Sequence, residues 1–197
     1  MDIPVVYEDN YLLVVDKPSG LLTVPTPKKE KRTLTSILGF YPCHRLDRGT
    51  SGLIIYAKCR EVQRRMAEAF KHRQVKKTYI AFVYGFPYKE SGVIEKRIEN
   101  LFAKTSYRVV EKRRFFTVVE AEPFTGRTNQ LRIHFKSLGN PILGEDRFAF
   151  RKDFKIKAKR LMLHAKSLEF LHPISGKALK IEVGLPQDML NFLKDHA

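Results

Sequence analysis

The chain predicts an α+β protein built on a large, mainly antiparallel or mixed β-sheet flanked by a few helices. Three observations predict it. Short β-rich runs outnumber helical ones. The two kinds do not alternate regularly, as a βαβ protein requires. Several runs are joined by Asn, Gly or Pro-Xaa-Ser-Gly turns of the hairpin kind. The 197 residues and 43% hydrophobic content support a packed interior, as one domain over residues 1–197 or as two small lobes sharing a core.

The elements follow in order. Val5–Glu8 and Tyr11–Asp16 are apolar runs split by Asp9-Asn10, a hairpin signal. Lys17-Pro18-Ser19-Gly20 stops the second run, and Thr26–Arg32 (TPKKEKR) forms a basic loop, expected to be mobile and placed to touch phosphates. Thr33–Phe40 reads as a short helix and Leu53–Ala57 as a buried strand. Val62, Met66, Ala69 and Phe70 recur at helical spacing within Glu61–Arg73. Lys77–Tyr84, Gly92–Ile98, Ser106–Glu111 and Phe115–Glu122 read as strands. Thr128–Leu138 carries Leu131, Phe135 and Leu138 on one helical face, with Gly139 as its stop. Lys166–Leu171 and Ala178–Val183 flank a Pro-Ile-Ser-Gly turn, and Pro186 opens a last helix with Met189, Leu190 and Leu193.

Charge narrows the function. Lys and Arg number 37 against 21 acids, a net charge of +16. An excess of that size implies a polyanionic partner, nucleic acid first, and 22 Phe and Tyr rings offer stacking surface. No apolar run is long enough to span a bilayer, so no membrane partner is expected. The start, MDIPVVYEDN, has no basic leader, and two cysteines are too few for a disulfide scaffold or a CxxC metal site. A cytoplasmic setting is the expectation. No GxGxxG, Walker loop or HExxH occurs.

The chemistry concentrates in Cys43–Gly52, CHRLDRGTSG. Asp47 lies between Arg45 and Arg48, cations that favour its charged form. Such a carboxylate is an internal ion pair or a poised nucleophile or base. Cys43 beside His44 is poor geometry for a thiol nucleophile, because adjacent residues on an extended segment point apart. His44, His134 and His164 read as hydrogen-bonded structural residues, none with zinc-site spacing.

Four segments then form a specific pattern: VYEDNYLLVVDKPSGLLTVP (Val6–Pro25), HRLDRGTSGLIIYAK (His44–Lys58), KKTYIAFVYG (Lys76–Gly85) and GRTNQLRIHFKSLGNPILGEDRF (Gly126–Phe148), trailed by RLMLHAKSL (Arg160–Leu168). Together they resemble the RluA-type family of RNA pseudouridine synthases. The resemblance implies the pseudouridine synthase fold with an active-site cleft across the sheet, and isomerisation of uridines in structured RNA, ribosomal or transfer. It implies no cofactor and no metal; a monomer with no obligatory protein partner is the default expectation. It assigns catalysis to Asp47, attacking C1′ as a nucleophile or taking a C2′ proton as a base. It matches Arg127 to the arginine that pairs with this carboxylate and Tyr79 to the tyrosine that stacks on the target uracil. Leu161, or its rival Leu163, packs the uracil's other face. Arg45 fills the gap left when the nucleotide flips out. Many relatives carry an additional N-terminal S4-type RNA-binding domain, and the expectation here is a catalytic domain without one. RNA affinity is therefore expected from the basic stretches Thr26–Arg32, Arg60–Lys77 and Arg151–Arg160.

Overall fold

A computed structural model describes residues 2–27, 30–149 and 154–196. Lys28, Lys29 and Arg151–Asp153, parts of two of the basic stretches, lie outside the described residues. Ten strands and four helices occur among the described residues, and the seven strand pairs described below are antiparallel. The α+β expectation holds.

The chain divides into two compact units. The first comprises residues 1–77 and 165–184. In it β1 (Val5–Glu8) pairs with β2 (Leu12–Lys17), and β2 with β4 (Ser51–Ala57). The two-residue β3 (Tyr41–Pro42) pairs with the end of β4, and the last hairpin joins β9 (Leu163–Leu171) to β10 (Ala178–Glu182). Asp9 accepts the Tyr11 and Leu12 N–H groups, both at 2.7 Å, which explains the first hairpin turn. The strand β4 is buried throughout because its apolar run is covered on both faces. Helix α2 (Arg60–Lys71) turns Val62 and Met66 into a core with Leu12, Val14, Leu53, Ile55 and Leu168, leaving its arginines outside. Helix α1 (Leu34–Leu38) is fixed by a capping box between Thr33 and Ser36.

The second unit comprises residues 78–164 and 185–197. Its strands run in the order β5 (Lys76–Tyr84), β8 (Phe116–Pro123), β7 (Leu101–Lys112), β6 (Ser91–Ile98). Helix α3 (Gln130–Ser137) packs Leu131 and Phe135 against this sheet, and α4 (Gln187–Asp195) sets Phe192 against Phe82 and Phe116. Most boundaries differ from the sequence reading by a residue or more, among them β9, which starts three residues early, and two differences have a backbone cause. The strand β7 begins at Leu101, five residues early, because a tight turn with left-handed Glu99 and Asn100 brings it straight back onto β6. Helix α3 starts at Gln130 because Asn129 also takes a left-handed φ of 56°. Gly139, at φ 80°, ends it as expected.

Candidate active site

Asp47 stands on the loop between β3 and β4, partly buried, and its carbonyl accepts the Thr50 N–H at 3.1 Å. Arg45 and Arg48 are exposed on either side of it. The loop is braced from behind by residues 17–23. The Thr23 hydroxyl donates to the Leu46 carbonyl at 3.0 Å and accepts the Leu46 N–H at 3.2 Å. Gly20 N–H donates to the Arg48 carbonyl at 2.8 Å, and Arg48 Nε returns a bond to the Gly20 carbonyl at 3.0 Å. The Ser19 hydroxyl donates to the Gly49 carbonyl at 2.7 Å. Lys17, fully buried, aims its ammonium at the carbonyls of Pro18 (2.9 Å), Leu21 (2.8 Å) and Arg48 (3.4 Å). A buried cation costs several kcal/mol of desolvation, about what such partners offset. The Lys-Pro-Ser-Gly stretch is therefore a clamp on the Asp47 loop as well as a strand stop.

Downstream of Asp47, Gly52 sits at φ 110°, where a Cβ would lie 2.3 Å from the Ala165 carbonyl oxygen. Only glycine permits that approach. His44 accepts the Ile55 N–H on Nε2 at 3.0 Å and lies 4.6 Å, ring to ring, from Phe70. Burial, reinforced by the Lys77 charge, pushes its pKa down to about 3, so it is a neutral acceptor. Burial pushes the Cys43 thiol up to about 12, which leaves it inert.

The other expected site residues belong to the second unit. Tyr79 is on β5, opposite Ala121 of β8, and partly buried. Leu161 is buried just before β9, and Leu163 is buried on that strand. Gly144 passes so close to the Leu161 backbone that a Cβ there would sit 1.8 Å from the Arg160 carbonyl oxygen. Arg127 is on the turn between β8 and α3. Its N–H donates to Gln130 Oε1 at 3.0 Å, and its Nε to the Phe102 carbonyl at 3.2 Å. Structure thus brings Arg45 and Asp47 together on one loop and puts Tyr79, Arg127 and Leu161 on three separate elements of the other unit.

Sequence reasoning missed the residue that organises the Arg127 turn. Gln130 is buried. Its oxygen accepts from the Thr125 hydroxyl (2.6 Å) and the Arg127 N–H, and its nitrogen donates to the Lys104 carbonyl and Thr105 Oγ1, both at 3.0 Å. All four bonds of the amide are made. The signal was a Gln facing the core on an otherwise apolar helix face. Arg132 was missed as well. It grips Glu145 with two bonds of 2.7 and 2.6 Å. Burial raises the Glu145 pKa, but Arg132 and the N–H groups of Arg147 and Phe148 outweigh it and hold it below the usual range. His134 bonds Thr105 Oγ1 through Nδ1 at 3.0 Å. In the first basic stretch the Thr26 N–H donates to Glu30 Oε2 at 2.9 Å. Arg160 is committed to Asp188 by two bonds of 2.7 Å, which removes it from the phosphate candidates. Among the described residues no three His, Cys, Asp or Glu side chains gather as metal ligands.

The family profile described as RNA pseudouridylate synthase matches residues 11–137. The dual-specificity RNA pseudouridine synthase RluA of Escherichia coli (strain K12) is 36% identical over 197 aligned positions, covering 89% of this chain and 90% of its own. The protein of that name from Haemophilus influenzae is 35% identical over 199, covering 90% of each. Among solved structures, human RNA pseudouridylate synthase domain containing 4 shares the fold, with a TM-score of 0.84 at 23% identity over 97% of this chain and 92% of that one. Human RNA pseudouridylate synthase domain containing 1 follows at 0.78 and 25%, over 94% and 84%. On the profile match and the shared identity along nearly its whole length, this chain belongs to the RNA pseudouridylate synthase family.

Proposed function

We propose that Asp47 carries the reaction of this RNA pseudouridine synthase, the isomerisation of uridine to pseudouridine in structured RNA, ribosomal or transfer. The carboxylate attacks C1′ or removes the C2′ proton of a flipped-out nucleotide. The N1–C1′ bond breaks, the uracil turns, and C5 bonds to C1′, releasing the carboxylate from C1′ in the first route or with the carboxyl returning its proton to C2′ in the second. The C5 hydrogen leaves to solvent and N1 takes up a proton, so the product is an isomer. Arg45, Tyr79, Arg127 and Leu161 act on the nucleotide in the roles the family resemblance gives them.

The observation that supports this reading most directly is the bracing of the Asp47 loop by Lys17, Ser19, Gly20 and Thr23. Carboxylates that serve only in surface ion pairs need no such scaffold, whereas chemistry at a sugar carbon requires the attacking atom to be held in place. Phosphates are held by exposed cations on and after α2, among them Arg60, Arg64, Lys71 and Arg73. The protein acts as a cytoplasmic monomer. No helix among the described residues is long and apolar enough to cross a membrane.

Asp47→Asn keeps the size and polarity of the side chain and removes its charge. Tritium release from C5-labelled uridine in RNA should fall to background in this variant, with RNA affinity changed less than about twofold. Retained turnover refutes the assignment. No release by the parent on any RNA, with tight binding preserved, points to a non-catalytic RNA-binding protein instead.

A further inference from the structure

The tip of the β6–β7 hairpin presents aromatic rings to solvent beside the Arg127 turn. Phe102 is 46% exposed and Phe124 47%. Burying either is favourable, so a ligand that covers both gains by it. The register puts Arg97 opposite Phe102 and Glu95 opposite Lys104. The Phe124 N–H donates to the Lys104 carbonyl at 3.0 Å, continuing the β7–β8 ladder. Alternation along the strand therefore sets Arg97, Phe102, Lys104 and Phe124 on one face, away from α3. The Lys104 ammonium lies 5.8 Å from the Phe124 ring centre and 2.8 Å from Glu95.

This face is rigid. Arg97 Nη1 donates to the Asn100 carbonyl at 2.8 Å across the turn. Lys104 is held at both backbone ends, its N–H on Thr125 Oγ1 at 3.0 Å and its carbonyl by Gln130. The Arg127 guanidinium bonds the Phe102 carbonyl. One bonded frame therefore ties the backbone that carries both rings to the Arg127 turn.

We infer that Phe102 and Phe124 form a stacking platform for unpaired bases of the RNA substrate, with Arg97 beside them for the intervening phosphates and Lys104 joining it by exchanging its solvent-exposed partner Glu95 for phosphate. The inference rests on the RNA isomerase reading and adds where the strand outside the target nucleotide lies. Rings interleaved with cations suit a strand of alternating bases and phosphates. A protein partner would call for a continuous apolar patch, and Lys104 interrupts this one. A chain of net charge +16 favours the polyanion.

The chain contains no tryptophan, so Phe102→Trp installs a single indole reporter on the platform. Its fluorescence is titrated with an RNA hairpin bearing an unpaired, uridine-containing loop and with the same stem as a full duplex. Quenching by the hairpin but not by the duplex is expected. Quenching by neither, or equally by both, overturns the platform. In a second arm, the double variant Phe102→Ala, Phe124→Ala should lose roughly tenfold in hairpin affinity. Duplex affinity and the slope of log affinity against log salt should stay as in the parent, because no phosphate contact is removed. An unchanged hairpin affinity overturns the inference, as does self-association of the parent that the double variant dissolves. Absence of tritium release by the parent on any RNA would strike the isomerase reading itself, whereas normal release with unaffected double-variant binding strikes only the platform.

Discussion

Thr23 uses one hydroxyl twice, donating to the Leu46 carbonyl and accepting from the Leu46 N–H. The residue after Leu46 is Asp47, so this buried pair of bonds sets the direction in which the carboxylate leaves the backbone. Thr23→Val keeps the shape and strands both Leu46 groups, at a cost of about 1–3 kcal/mol in stability. Because the carboxylate then wanders, turnover should fall at least tenfold while RNA affinity holds. Thr23→Ser should restore turnover, and equal behaviour of the Val and Ser variants would sink the argument. Asp47, the residue proposed for catalysis, could be singled out from the sequence because its flanking cations Arg45 and Arg48 are local. Thr23 was not, because its partner is 23 positions away. Hydrophobic periodicity carries no information about such a contact. Gln130 was hidden for the same reason, since its partners Lys104 and Thr105 come from a distant strand.

At the level of elements, apolar patterning reported the strands well and their ends poorly. The early start of β7 and the late start of α3 both follow from left-handed residues, Glu99, Asn100 and Asn129, which no periodicity encodes. One junction between elements is sensitive to acid. His44 joins the Asp47 loop to β4 as a neutral acceptor, and its pKa in the fold is about 3 against 6.5 for the free side chain. The unfolded chain therefore binds the extra proton between these values. The His44 bond is fully present above about pH 6.5 and is lost as pH falls toward 3. Glu145 has a pKa below the ordinary carboxylate range, so its contribution persists until lower pH. Urea midpoints at pH 7 and pH 5 test this. The parent should lose more stability on acidification than His44→Gln, whose amide oxygen can take the Ile55 N–H at any pH. Parallel losses in the two proteins would remove His44 from the account.

For the molecule as a whole, the surplus of 37 cations over 21 acids matters more than any one of them. Each phosphate neutralised releases counterions. An RNA complex resting on six or more such contacts should therefore lose about a thousandfold in affinity between 50 and 200 mM salt. Anisotropy titrations across that range measure the slope, and a flat response would contradict the electrostatic reading. The α+β class and the family pattern were visible in composition and motif order. Two lobes were one of the two organisations the sequence offered, but which residues make up each was not legible, because it depends on which distant strands meet. Neither unit is continuous along the chain: the first needs residues 165–184 and the second needs residues 185–197.

That interleaving has a consequence during synthesis. A ribosome delivers β1 to β4 early, yet the β9–β10 hairpin that completes their core with Leu168, Phe170 and Ile181 emerges only after residues 78–164 have been made. At cellular elongation rates the wait is on the order of ten seconds. Throughout it the nascent chain carries a half-built apolar surface, a natural docking target for chaperones at the tunnel exit.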